Sequence, residues 1–271
     1  MNIDEKAQLE MGDAALGRML EILRMHSVGI VARSENIRTA PLLGSGTLVI
    51  IGGEKGIITA GHVYEAIKNF QPVSLVFVSK NNDDYRNVHV DIDNCAPFVL
   101  GKKPWENGPD LCFLKLPYDV VSVIDCHGAV FKNIDLDKKK MPLNAQSIFM
   151  FFVGGFADFY TKEISDDGKE SKEITFVHET GVVQYETYRN SVTDTMVRHP
   201  REDRLEPDSF GGVSGAGVWG LSIDKDMNMR HLFFGVVCRE TESSHDIRHF
   251  IFNGYISVYR DLFAMLGCLP T

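Results

Sequence analysis

Gly56-Ile57-Ile58-Thr59-Ala60-Gly61-His62 decides how this chain is read: a short apolar run that delivers a histidine at its end. Gly108-Pro109-Asp110-Leu111-Cys112-Phe113-Leu114-Lys115-Leu116 places an acid at the head of a second apolar run. Gly211-Gly212-Val213-Ser214-Gly215-Ala216-Gly217 sets one serine at the centre of a glycine-rich turn. Short apolar runs bounded by glycine, proline and aspartate are strand signals. A serine hydroxyl is a poor nucleophile until an imidazole takes its proton, and a carboxylate must hold that imidazole in the right tautomer. These three segments carry those residue types in the order His, Asp, Ser.

Each segment alone is weak. Histidines end strands, acids flank strands, and Gly-Ser turns occur without chemistry. Asp119 and Asp125 lie near Asp110 in sequence, but neither begins an apolar strand. Gly212-Val213-Ser214-Gly215 also begins like the nucleophile elbow of α/β-hydrolases. That pattern needs glycine where Ala216 stands, and the order Ser, acid, His in an alternating β/α chain. Only His231, His245 and His249 follow Ser214, and helical segments between the strands are missing from the pattern.

Taken together the motifs resemble the chymotrypsin/trypsin-like serine peptidases, in particular their disulfide-free bacterial members. Thr59-Ala60-Gly61-His62 carries the likeness, with Gly44-Ser45-Gly46-Thr47 upstream and the small Cys112 two residues after Asp110. The resemblance implies an all-β fold of two six-stranded antiparallel Greek-key barrels, residues 27–140 and 141–271, the second closed by a C-terminal helix. The active site would lie in the cleft between them. An N-terminal helical extension, residues 1–26, falls outside the likeness. His62 is expected as general base, Asp110 as its partner and Ser214 as nucleophile, with the N–H groups of Gly212 and Ser214 as the oxyanion hole. The expected substrate is a protein or peptide, no cofactor is needed, and a dedicated regulatory protein partner is an expectation by analogy. A catalytically silent scaffold of the same fold is the competing reading.

The same likeness puts Asp208, six residues before Ser214, at the base of a specificity pocket that would take Arg or Lys. Phe210 replaces the cysteine that anchors this loop in trypsin, and Arg239 on the pocket-wall run is placed to neutralise Asp208. An aspartate capping the turn after Pro207 is the alternative. Val213 directly precedes the serine, where trypsin-like zymogens carry an acid that pairs with a newly cut N-terminus. No N-terminal cleavage is therefore expected for activity.

Helix-like spacing covers residues 5–25 and 259–266. Between them, strand-like runs are read at 28–32, 46–51, 56–59, 73–78, 88–92, 111–116, 147–153, 174–185, 217–223, 232–238 and 255–258. Residues 135–140 read as an inter-barrel linker, and 165–172 and 188–207 as polar loops. His245 and His249, four apart, lack a third ligand cluster, so a solvated loop is expected and no metal. A net charge of −9 opposes binding to nucleic acid, whose phosphates it would repel. The five cysteines are odd in number and show no CxxC or Cys/His metal spacing, which fits a reducing compartment. The first residues lack a basic segment followed by an apolar one, and no apolar run approaches the roughly 20 residues that span a bilayer. A cytoplasmic, membrane-free protein is expected.

Overall fold

The computed structural model describes residues 16–33, 41–79, 84–101, 109–140, 148–157, 162–166, 169–173, 176–184, 193–198, 211–223, 229–242 and 248–268. It is β-rich, with two antiparallel sheets and a few helices. Helix α1, residues 16–26, runs directly into β1 (Ser27–Ala32). β2 (Leu42–Ile51) and β3 (Glu54–Thr59) form a hairpin, followed by α2 (Gly61–Ile67). Then come β4 (Val73–Val78), β5 (Tyr85–Val90), β6 (Ala96–Leu100), β7 (Leu111–Lys115), α3 (Tyr118–Cys126), β8 (Lys132–Asn133) and α4 (Ile134–Lys140). The first sheet runs β5-β4-β1-β2-β3-β7-β6, with β8 added parallel to β2.

The C-terminal half contributes β9 (Ile148–Phe156), β10 (Lys162–Asp166), β11 (Lys169–Glu173), β12 (Phe176–Gln184), β13 (Thr193–Arg198), β14 (Gly217–Ile223), β15 (Met229–Glu242) and β16 (Arg248–Asn253). Six of these pair in the circuit β12-β13-β16-β15-β14-β9, whose ends also pair, while β10 and β11 form a separate hairpin. A π-helical stretch, Ile256–Leu262, continues into α5 (Phe263–Met265).

Consecutive residues on these strands are buried on opposite faces, which is why the runs are continuously apolar rather than alternating. Leu48, Ile57 and Leu114 join one cluster inside the first sheet, whereas Val49, Ile58 and Phe113 join a second. Likewise Phe151, Val218 and Phe234 fill the C-terminal sheet, and their neighbours Phe152, Trp219 and Phe233 turn to that second cluster. The second cluster is thus a layer shared by both sheets. Met19 and Leu23 of α1 and Val258, Tyr259 and Leu262 of the C-terminal helix complete it.

Both terminal helices are pinned by polar contacts as well. His26 stacks on Trp219 with centroids 5.4 Å apart and donates from Nδ1 to the Val130 carbonyl at 2.6 Å. Tyr259 donates its hydroxyl to the Phe233 carbonyl at 2.6 Å. Desolvation lowers the His26 pKa to about 4 against the Val130 contact, so the buried ring is neutral at neutral pH.

Several expectations are corrected. The first sheet is not a closed six-stranded barrel: it has eight strands and its path ends at β5 and β6. Those two strands are consecutive, but the chain between them forms a 3₁₀ turn at Ile92–Asn94, where the Asp91 carboxylate caps the Asp93 N–H instead of a ladder forming. β6 escaped notice because Pro97 interrupts its run; proline is tolerated there because β6 is an edge strand. Residues 255–258 are not a strand. The last strand is β16, whose Phe250 and Phe252 are buried, and helical structure begins after Gly254.

The expected linker at 135–140 is helix α4, with Asp135 and Asp137 in its first turn, where the positive end of the helix dipole favours them. Asp137 is buried, pairs with Lys132 Nζ at 3.1 Å and accepts the Phe233 N–H at 2.9 Å. Residues 165–166 and 169–172 lie in the paired strands β10 and β11 rather than in a plain loop, and β13 lies within 188–207. All five cysteines are unpaired. No helix among the described residues is long and apolar enough to cross a membrane.

Candidate active site

The base and the acid meet because β3 and β7 are antiparallel neighbours, with Thr59 opposite Cys112. The chain leaves β3 through the extended Ala60 and enters α2, whose second residue is His62. Asp110 stands just before β7, at the same end of the ladder. Its Oδ1 accepts the His62 backbone N–H at 2.8 Å, and its Oδ2 lies 2.6 Å from Nδ1 of the imidazole. Ala60 offers no side chain to the first-turn N–H groups of α2, so Asp110 satisfies one of them from another strand. The two contacts fix the ring position and favour the tautomer in which Nδ1 donates to the carboxylate, so that Nε2 is the free nitrogen of the neutral ring. The Asp110 side chain is 6% exposed and that of His62 37%, so the acid is shielded while the base reaches solvent.

Asp110 is held in turn by Asn253, the last residue of β16. Asn253 Oδ1 accepts the Asp110 N–H at 3.0 Å, and its Nδ2 donates to the Asp110 carbonyl at 2.7 Å. Asn253 is fully buried. A residue of the C-terminal sheet therefore grips the backbone of an acid that belongs to the first sheet.

The turn bearing Ser214 is built on two glycines at φ 89°, Gly212 and Gly215. Side chains are excluded there by space as well as by conformation. A Cβ on Gly212 would lie 2.9 Å from the Phe156 carbonyl, and one on Gly215 would collide with Ser45 O and Thr59 Oγ1. Gly215 N–H donates to Val237 O at 2.7 Å and Ala216 N–H to Val213 O at 2.8 Å. The N–H groups of Gly212 and Ser214 have no hydrogen-bond acceptor among the described residues.

The turn is tied to the first sheet at Ser45. Ser45 N–H donates to Ser214 O at 2.8 Å, and Ser45 Oγ donates to Gly212 O at 2.7 Å. Gly44, beside it, lies against Val63, the residue after His62, and Ser214 O; a Cβ there would lie 2.7 Å from the Val63 methyls and 3.0 Å from that oxygen. The serine turn and the start of α2 thus both crowd the space where a side chain on Gly44 would sit. Ser214 and His62 share no direct hydrogen bond among the described residues. Such contacts are commonly loose before substrate binds.

Of the residues singled out in sequence, His62, Asp110, Gly212 and Ser214 are brought to this region. Asp208 lies outside the described residues, as do Phe210 and residues 243–247. Arg239 is exposed on β15, one residue past the register shift at Cys238. Burial pushes the Cys238 thiol up to about 12 and raises the Cys112 thiol further, so neither is a nucleophile. Among the described residues, no group of three or more His, Cys, Asp or Glu is arranged to hold a metal. Sequence reasoning missed the parts played by Ser45 and Asn253. Ser45 interrupts the largely apolar β2, and Asn253 ends the apolar run Phe250-Ile251-Phe252; a polar residue so placed signals a buried hydrogen-bonding duty. A scan of protein-family models found no match to this chain, and a search of curated proteins found none either.

Proposed function

We propose that this chain is a serine endopeptidase of the chymotrypsin/trypsin-like kind, cleaving peptide bonds of a protein or peptide through an acyl-enzyme. The observation that carries the reading is the two-point grip of Asp110 on His62, which leaves Nε2 as the free ring nitrogen, with the glycine-bracketed Ser214 and the start of α2 both crowding Gly44. In this reading the two sheets are the counterparts of the two β-barrels, and the site lies where they meet. Ser214 Oγ attacks the peptide carbonyl as His62 Nε2 takes its proton, and the buried Asp110 carboxylate stabilises the imidazolium. The N–H groups of Gly212 and Ser214 receive the developing oxyanion. His62 then protonates the leaving amine, and water repeats the sequence on the ester.

Val213, the residue before the nucleophile, is 2% exposed and packed among apolar side chains of the C-terminal sheet. It supports an oxyanion hole that forms without pairing to a cut N-terminus. A fluorophosphonate probe tests the whole reading: it should label the wild-type protein covalently at Ser214. Labelling should vanish in Ser214→Ala and nearly vanish in His62→Ala, because such residues act as a unit. Undiminished labelling of Ser214→Ala refutes the assignment, and an inert wild-type protein favours the silent scaffold.

A further inference from the structure

We infer that Ser45 is a positioning residue for the oxyanion hole, a role that rests on the peptidase reading above. Ser45 is fully buried on β2, yet all its polar groups are engaged. Its Oγ accepts the Phe156 N–H at 2.8 Å and donates to Gly212 O at 2.7 Å. Its N–H donates to Ser214 O at 2.8 Å, and its carbonyl accepts from Thr59 Oγ1 at 2.7 Å. One residue therefore holds the carbonyls on both sides of the Val213-Ser214 segment. It is anchored at the same time to the strand that leads to His62.

The consequence is directional. Successive carbonyls and N–H groups in so tight a turn cannot rotate independently. Gly212 O and Ser214 O are both held on Ser45, so the Val213-Ser214 segment between them cannot rotate freely, and the Ser214 N–H it carries is fixed with it. Gly212 N–H and Ser214 N–H, the pair the proposed chemistry requires, lie on either side of Val213 N–H, and none of the three has an acceptor among the described residues. Gly215 seals the arrangement, since it lies against Ser45 O and Thr59 Oγ1 with no room for a side chain. The backbone N–H of residue 45 would survive any substitution other than proline, so the Oγ bond to Gly212 O is the separable element. Without it, the Gly212 carbonyl loses its partner and the segment is free to rotate.

Ser45→Ala is the test, with the rate of fluorophosphonate reaction resolved into its binding constant and its first-order rate. Displacement of the oxyanion donors by about 1 Å should slow the first-order step by about 10- to 100-fold, with binding changed less than about twofold. The low-field proton resonance of the His62–Asp110 hydrogen bond should persist, because nothing in that pair touches Ser45. A merely structural lesion would not spare binding and this resonance while slowing the chemical step. If Ser45→Ala does not fold, Ser45→Cys, which keeps the volume and only a weak donor, is read in the same way. A folded variant reacting at the wild-type first-order rate overturns the role of Ser45. So does a slowing that appears wholly in binding, or one that comes with loss of the resonance. A wild-type protein that does not react at all overturns instead the peptidase reading on which the role depends.

Discussion

Replacing Asn253 with leucine should cost this protein a large share of its stability. The side chain is fully buried and makes two hydrogen bonds, 3.0 Å from the Asp110 N–H and 2.7 Å to the Asp110 carbonyl. Leucine is similar in size but offers neither donor nor acceptor and keeps water out. Two backbone groups would then be buried without partners, each at about 1–3 kcal/mol, so the expected loss is roughly 2–6 kcal/mol. Against the middle of a typical total of about 5–15 kcal/mol, the middle of that expected loss is roughly two-fifths. With a urea dependence near 3 kcal/mol per molar, the unfolding midpoint should fall by roughly 1–2 M.

Asn253→Asp separates hydrogen bonding from packing. A protonated aspartic acid retains one donor and one acceptor, whereas the ionised form keeps only acceptors and adds a buried charge beside the Asp110 carboxylate. Its destabilisation relative to wild type should be smallest below about pH 4, the unfolded pKa of aspartic acid, and grow as pH rises. The reasoning is refuted if Asn253→Leu loses less than about 1 kcal/mol, the lower bound for even one stranded group. A deficit in Asn253→Asp that is flat between about pH 4 and pH 8 refutes it equally.

His26 supplies a pH prediction. Its folded pKa, about 4, lies below the ordinary 6.5, so below pH 6.5 the unfolded chain takes up a proton that the folded chain refuses. Its contribution is fully present above pH 6.5 and is lost as pH falls towards 4, reaching about 3 kcal/mol. His26→Gln should flatten that part of the stability profile in urea titrations, and an unchanged slope would show that other groups carry it. Gly215→Ala should cost about 1–3 kcal/mol in backbone strain alone and drive a methyl group into Ser45 O and Thr59 Oγ1. Fluorophosphonate labelling should then fall at least tenfold, and labelling at the wild-type rate would mean that the turn does not need glycine there.

Much of the secondary structure could be read from local pattern, because a strand buried on both faces must be apolar throughout. The runs at 73–78 and 217–223 coincide with β4 and β14. The residue types at His62, Asp110 and Ser214 were equally legible, since a histidine after a strand, an acid before one and a serine between glycines are each local facts. Other features were not local. Asp135–Lys140 reads as a solvated charge run until Asp137 meets Lys132 and the Phe233 N–H, contacts that span 96 residues of chain for the latter. The open path of the first sheet turns on whether β5 and β6 pair, which the capped turn between them decides.

Which side chains are available for chemistry and which segments must be buried follow from residue type and spacing alone. What holds the chemistry in place depends on how the chain packs. Asn253 grips Asp110 across 143 residues, and Ser45 reaches Gly212 across 167. A hydrogen bond depends on where two groups arrive in space, and at such separations that is set by how the two sheets pack, not by the residues on either side.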